Sequence, residues 1–212
     1  MILKLPGLCP GRAVKEHPMK TKLVTGPEKK PISVDAVKEH LRIHVADLSH
    51  DHMIEQFIQS AVEQVEEETG RALITQAWDL IFSSWDELIW KDKFCDIRRI
   101  LPFGRCQSVG SITYLDTDKS SRTLNTDQYE VSGVGTDEAR IMLLSAGGFD
   151  YPSLYEVDPI TLRLVCGYGD NEASIPMQIQ TAIKIIVSDL FDDEDHRETI
   201  QSALKSHKLW SF

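Results

Sequence analysis

Between Met53 and Val65 the apolar residues Met53, Ile54, Phe57, Ile58, Ala61, Val62 and Val65 recur at steps of three and four, and this run constrains the chain more than any other stretch. The spacing lays one stripe along a helix, and that stripe has to be buried against other elements. Ser49 or Asp51 is available to cap its start. At its end stand Glu66, Glu67, Glu68, Thr69, Gly70 and Arg71, and beyond them Trp78 and Leu80 alternate with Asp79 as in a strand. Gly70, lacking a Cβ, is placed where left-handed backbone closes a last turn and redirects the chain.

The change of period persists for about ninety residues. "QAWDLIF", "SVGSITYLD", "QYEVSG", "ARIMLL" and "ITLRLVCGYG" are strand-like runs, separated by turn chemistry such as Asp116 to Ser121 and Gly147-Gly148. Upstream, "PISVDAVKEHLRI" predicts a short helix with Ser33 as cap and Val34, Val37 and Leu41 on one face. Downstream, Ile175, Ile179, Ala182, Ile183, Ile186, Val187 and Leu190 predict a long helix, with Pro176 in its first turn. A short helix around Ile200, Ala203 and Leu204 follows, ahead of Leu209, Trp210 and Phe212. The expected fold class is α+β: a helical bundle of two N-terminal helices and one long C-terminal helix, interrupted by an antiparallel sheet or small barrel. The expected divisions are a basic extended arm over 1–30, a helical core over 31–75 and 174–198, an inserted β subdomain over 76–173 and a C-terminal tail over 199–212.

Charge divides the chain in the same way. Residues 1–30 hold seven Lys or Arg against two acidic residues, a net of +5, which leaves sixteen basic and thirty-one acidic residues, a net of −15, for the rest. A body this acidic does not wrap DNA by neutralising phosphate. The arm, broken by Pro6, Gly7, Pro10, Gly11 and Pro18, reads either as a segment that orders on a partner or as a plain flexible tail. No apolar run approaches the roughly twenty residues that span a bilayer, and the same prolines break any signal-peptide core. Cys9, Cys95, Cys106 and Cys166 are scattered, which points away from a zinc ribbon or disulfide framework and towards folding in a reducing cytoplasm.

Candidates for chemistry are incomplete. "HVADLSHDH" gathers His44, His50 and His52 with Asp47 and Asp51, without the helical spacing that a metal pair needs, and reads better as a solvated loop. "DTDKSSRTLNTD" sets Asp116, Asp118 and Ser120 as in a calcium loop, then has Ser121 where the turn needs glycine and Asp127 where the bidentate Glu belongs. "GYGDNE" has Gly167 and Gly169 at G-x-G spacing, but Asp170 and Glu172 would repel a pyrophosphate. No nucleophile elbow, phosphate loop or zinc-protease motif occurs, so the sequence predicts no enzyme, no cofactor and no metal.

Taken in order, "PISVDAVKEHLRI", "MIEQFIQSAVEQVEEETGRALITQAWDL", "LPFGRCQSVGSITYLD", "YEVS", "LRLVCGYGD" and "IPMQIQTAIKIIVSDLFDDED" resemble a tailed-phage head-tail connector, or adaptor, of the gp6-like family, in its longer subgroup with β-structure between the helices. The resemblance runs from about Pro31 to Asp195, and residues 1–30 lie outside it. It implies a structural protein of the virion neck, made in the host cytoplasm and assembled as a ring, commonly of twelve copies, below the portal protein. Neighbouring copies, stopper or tail-completion proteins and the DNA passing through the channel are the implied partners.

In the family, C-terminal segments reach the portal, which maps docking onto Ile200, Leu204, Leu209, Trp210 and Phe212. Carboxylates among Glu66, Glu67, Glu68, Asp192, Asp193, Glu194 and Asp195 are expected either at the channel or a subunit boundary, where they repel phosphate, or on ordinary solvated surface. Arg71 is expected to pair with a neighbour's carboxylate. Two rival readings are a DNA-binding or packaging accessory protein acting through the basic arm and a small hydrolase dependent on a metal at His44, His50 and His52.

Overall fold

The computed structural model describes residues 20–88, 99–144 and 151–209. Its first element is a strand, β1 (Lys20–Thr25), followed by the helices α1 (Val34–His40) and α2 (Asp51–Thr69). The β-rich stretch comprises β2 (Gln76–Phe82), a one-turn helix α3 (Trp85–Leu88), β3 (Arg99–Ile100), β4 (Cys106–Leu115), β5 (Ser121–Thr123), β6 (Tyr129–Ser132), β7 (Arg140–Leu143) and β8 (Ile160–Cys166). Helices α4 (Met177–Asp192) and α5 (Arg197–Leu204) complete the order. The mixed α+β class expected from the sequence is the one observed, with two sheets in the middle of the chain.

Ser33 caps α1, its hydroxyl accepting from the Ala36 amide at 3.2 Å. In α2 the cap differs from expectation: His50 holds that position without a side-chain bond, and Asp51 is already the first helical residue. The Asp51 carboxylate is instead ion-paired with Lys38, whose side chain is fully buried and also donates to the Val45 carbonyl at 3.1 Å. A charge without water needs such partners, and they fix the loop between α1 and α2. Gly70 has φ 68° and ψ 20°, and its N–H donates to the Glu66 carbonyl at 2.9 Å, so the glycine exit from α2 is as expected.

The larger sheet has the order β1-β2-β8-β4-β5, with every neighbouring pair antiparallel. The smaller has the order β3-β7-β6. Alternation along β8 buries Ile160, Leu162, Leu164 and Cys166 and turns Arg163 outward. Opposite it on β2, Asp79 accepts from Arg163 in a bidentate pair of 2.8 Å bonds, which explains a carboxylate inside an otherwise apolar run. Leu80, Phe82, Trp85, Ile112 and Ile141 pack with the β8 side chains in one core.

A second core lies among the helices. Ile54, Ile58, Ala61 and Val65 of α2 meet Ile179, Ala182, Ile183 and Ile186 of α4, with Val37 of α1 beside them. Each of the isoleucines and valines contributes roughly 1.5–3 kcal/mol when fully buried. The two cores meet just past Gly70: Ala72 belongs to the sheet core, while Leu73 and Ile74 belong to the helical one.

Two expectations are corrected. Residues 20–25 of the basic arm are a strand of the chain's own sheet, in register with β2 from Lys20 opposite Ile81 to Leu23 opposite Trp78. Ile200 and Leu204, expected as docking anchors, are 4% and 0% exposed and belong to the helical core, so the apolar face of α5 is turned inward in this chain.

Candidate interaction surfaces

In the segment from Glu66 to Arg71, the side chains of Glu66 and Arg71 find their partners within the chain. Glu66 Oε1 accepts from the Leu73 amide at 2.8 Å and from Gln76 Nε2 at 2.9 Å. Burial pushes its carboxyl above the ordinary value, against those two hydrogen bonds. Arg71 is only 5% exposed and forms a bidentate pair with Asp137 of the same chain, at 2.5 and 2.8 Å, while its Nε donates to the His207 carbonyl. The hydrogen bonds from Arg71 hold the Asp137 carboxyl below its usual range, in spite of some desolvation. In the isolated chain Arg71 is thus paired internally, and the half-buried Glu66 is engaged at the joint. Their partners lie 7 to 136 residues away in sequence, beyond the reach of any periodic signal.

Glu68 is partly covered: Gln64 Nε2 donates to its Oε1 at 3.2 Å, and its Oε2 has no hydrogen-bond donor among the described residues and is ion-paired with Lys208 Nζ at 3.7 Å. Glu67 and the run Asp192, Asp193, Glu194 and Asp195 are exposed. The exposed residues of α2 are His52, Glu55, Gln56, Gln59, Ser60, Glu63, Gln64 and Glu67, with no lysine or arginine among them. Asp193 ends α4 in left-handed backbone at φ 56°, where its N–H donates to the Asp189 carbonyl. The Asp189 carboxylate then receives the His196 amide at 2.8 Å and lies 2.6 Å from His196 Nδ1. With Glu194 these two residues place potential ligand atoms within 4.8 Å of one another, a grouping the sequence reading did not single out. The two hydrogen bonds account for it as the tie between α4 and α5.

The C-terminal segment is held against the joint. Leu209 N–H donates to the Thr69 carbonyl at 2.8 Å, and a Cβ added at Gly70 would lie 3.7 Å from the Leu209 Cβ. Leu209 is thus half-buried on its own chain, while Trp210 and Phe212 lie outside the described residues.

The remaining candidates resolve into structure. His44 Nδ1 accepts from the Ala46 amide at 3.1 Å, His50 meets Phe191 edge to face at 5.8 Å, His52 stands 3.4 Å from Gln56, and Asp47 receives Ser49. These residues are not brought together. Asp116 receives Thr117 at 2.6 Å and pairs with Arg122 at 3.0 Å, fixing the turn between β4 and β5. A Cβ at Gly167 would lie 2.6 Å from the Ile74 carbonyl oxygen, and Gly169 O accepts from the Thr75 amide at 3.1 Å, so this glycine pair serves a close approach of backbones. Of the arm's lysines, Lys20 bonds Asp158 at 2.6 Å, Lys29 bonds Asn171 at 2.9 Å and Lys30 bonds Glu55 at 3.0 Å. No described helix is long and apolar enough to cross a membrane.

Comparison with known proteins places this geometry. Residues 31–95, the stretch containing α1, α2 and the joint, match the family model described as "Phage gp6-like head-tail connector protein". No curated protein sequence matches the chain. Among solved structures, a chain in the neck of an empty GTA particle computed with C6 symmetry superposes with a TM-score of 0.73 at 18% identity, covering 92% of this chain and 97% of that one. A chain of the native gene transfer agent virion gives 0.71 at 17%, with the same coverage. One from the native neck computed with C12 symmetry gives 0.70 at 16%, again over 92% and 97%. Over residues 31–95 the chain is similar to the gp6-like head-tail connector model, and its fold is the one that neck chains of a gene transfer agent share.

Proposed function

We propose that this chain is a structural head-tail connector of a phage-like particle, assembling as a ring in the neck below the portal protein. The observation that carries the reading is the pairing of two independent matches. The connector family model falls on α1, α2 and the stretch that follows through β2, and the superposition with neck chains extends over nearly all of both chains. Those necks were computed with C6 and C12 symmetry, which supports a ring of six-fold or twelve-fold order here, twelve being the expectation from the resemblance. Stopper or tail-completion proteins are the partners proposed for the opposite face. The structural role requires no catalytic group.

Glu67 and Asp192 to Asp195 are the exposed carboxylates proposed to face the channel or a neighbouring copy. A wall of that charge repels phosphate at short range and lets DNA slide past without binding. Portal docking is proposed for the chain's end, with Trp210 and Phe212 as its apolar anchors. The test is to mix the purified chain with portal rings and image them by electron cryomicroscopy. An added symmetric layer on the portal is the expected result, and bare portals at saturating concentration overturn the assignment.

A further inference from the structure

We propose that Arg71 is a latch coupling the loop between β6 and β7 to the C-terminal segment, so that contact at the loop tip changes how firmly the chain's end is held. This goes beyond the connector role and does not depend on it, because the latch is a property of the isolated chain.

The guanidinium is one rigid plane with donors on two edges. One edge grips Asp137 through two bonds of 2.5 and 2.8 Å, and Nε donates to the His207 carbonyl. Loop and tail are therefore tied through a single side chain. That side chain has little room to move: a Cβ at Gly104, which has φ 65°, would stand 3.0 Å from Arg71 Nη1 and 3.2 Å from its Cγ. The ring of Tyr168 lies beside it, with the Arg71 guanidinium carbon 5.9 Å and the Arg105 guanidinium carbon 5.1 Å from the ring centre.

Each tied segment is otherwise lightly attached. The loop is a tight turn with Gly133 at φ 71° and Gly135 at φ 81°, closed by Thr136 Oγ1 donating to the Gly133 carbonyl at 2.7 Å. It is linked to the sheet beneath by the Gly135 amide donating to the Cys106 carbonyl at 2.8 Å and by the Arg105 backbone N–H donating to the Asp137 carboxylate, and it carries Val134, 49% exposed, at its tip. On the tail side, His207 Nε2 lies 2.8 Å from Gln178 Oε1, Ser206 Oγ lies 3.3 Å from the same oxygen, and Leu209 N–H reaches Thr69 O. An apolar tip that a neighbouring protein can press thus sits three residues from the carboxylate that holds Arg71. A protein bound at the tip that shifts Asp137 loosens the His207 carbonyl, and by reciprocity release of the tail loosens the loop.

Hydrogen–deuterium exchange of the full chain tests the coupling. In Asp137→Asn the charged fork is lost, and the amides of residues 207–209 should exchange about tenfold faster while those of α2 and α4 keep wild-type protection. Arg71→Lys, which keeps the charge and loses the fork, should do the same. In the reciprocal experiment, a chain ending at Lys205 should show faster exchange at Gly135 and Thr136. Unchanged exchange at residues 207–209 in Asp137→Asn overturns the latch. Loss of protection throughout the helical core in that variant overturns it as well, since the pair would then hold the core and not the tail. Unchanged loop exchange in the shortened chain removes the coupling even if the tail is released.

Discussion

Glu66 and Leu73 clasp the end of a helix to the start of a sheet: the Glu66 carboxylate accepts the Leu73 amide at 2.8 Å, and the same oxygen takes Gln76 Nε2 at 2.9 Å. Between them the backbone reverses at Gly70 and passes from one hydrophobic core to the other. A carboxylate in this position supplies acceptors that the turning backbone lacks, and burial of its charge opposes the arrangement.

Replacing Glu66 separates these two effects. Glu66→Gln keeps an acceptor and removes the buried charge, so stability at pH 7 should be equal or higher. Glu66→Ala leaves the Leu73 N–H and the Gln76 amide unsatisfied and should cost about 1–3 kcal/mol. Because the folded carboxyl is raised above 4.5, its contribution is fully present below that pH and is lost as pH rises through the folded value. Urea denaturation of the wild type and both variants at pH 4 and pH 7 measures this, and a Gln variant as weak as the Ala variant would refute it.

Two glycines should respond unequally to alanine. Gly70 has a left-handed φ of 68° but room for a Cβ, with its closest neighbour at 3.7 Å, so Gly70→Ala should cost about 1–2 kcal/mol. At Gly167 the added carbon would meet the Ile74 carbonyl oxygen at 2.6 Å with φ at 129°, so the cost should reach about 3 kcal/mol or more. Equal losses in a denaturation experiment would contradict the close approach.

His196 should make stability depend on pH near neutrality. Its hydrogen bond to Asp189, with the charges of Asp189, Glu194 and Asp195, raises its pKa above 6.5. The stability it contributes is complete below 6.5 and is lost as pH rises through the folded value. Thermal melts of wild type should therefore show a falling Tm across that interval, and His196→Gln should flatten the fall. An imidazole titration by NMR with a midpoint at or below 6.5 would refute the pairing.

Ile200→Ala and Leu204→Ala should each destabilise the chain by about 2–5 kcal/mol, the loss expected for a buried aliphatic side chain. Surface anchors would show almost no loss in a chemical denaturation of the free chain, so the experiment tells core from docking face directly.

The elements that could be read in advance are those whose burial pattern equals their apolar pattern. In α2 and α4 the three-four stripe is the buried face, apart from Leu190 at the end of α4, which is 43% exposed, and in β8 the alternation is the buried face. β1 escaped notice because all six of its residues are exposed: a strand that adds hydrogen bonds at an edge and nothing to a core has no hydrophobic period to display. The pairing of Arg71 with Asp137 spans 66 residues and depends on how two loops pack, which local pattern does not encode. For α5, spacing identified Ile200 and Leu204 as one face and left open which way that face turns.

The outward face of α2 carries Glu55, Glu63 and Glu67 and no lysine or arginine. Two copies meeting through this face about a two-fold axis would bring Glu63 and Glu67 towards carboxylates, the adjoining cation Lys30 being already paired with Glu55, so the charge of this surface disfavours self-pairing. A contact made through it is favoured when it joins unlike surfaces, head to tail, and such contacts generate closed rings when the rotation between copies divides the circle, and open filaments when it does not.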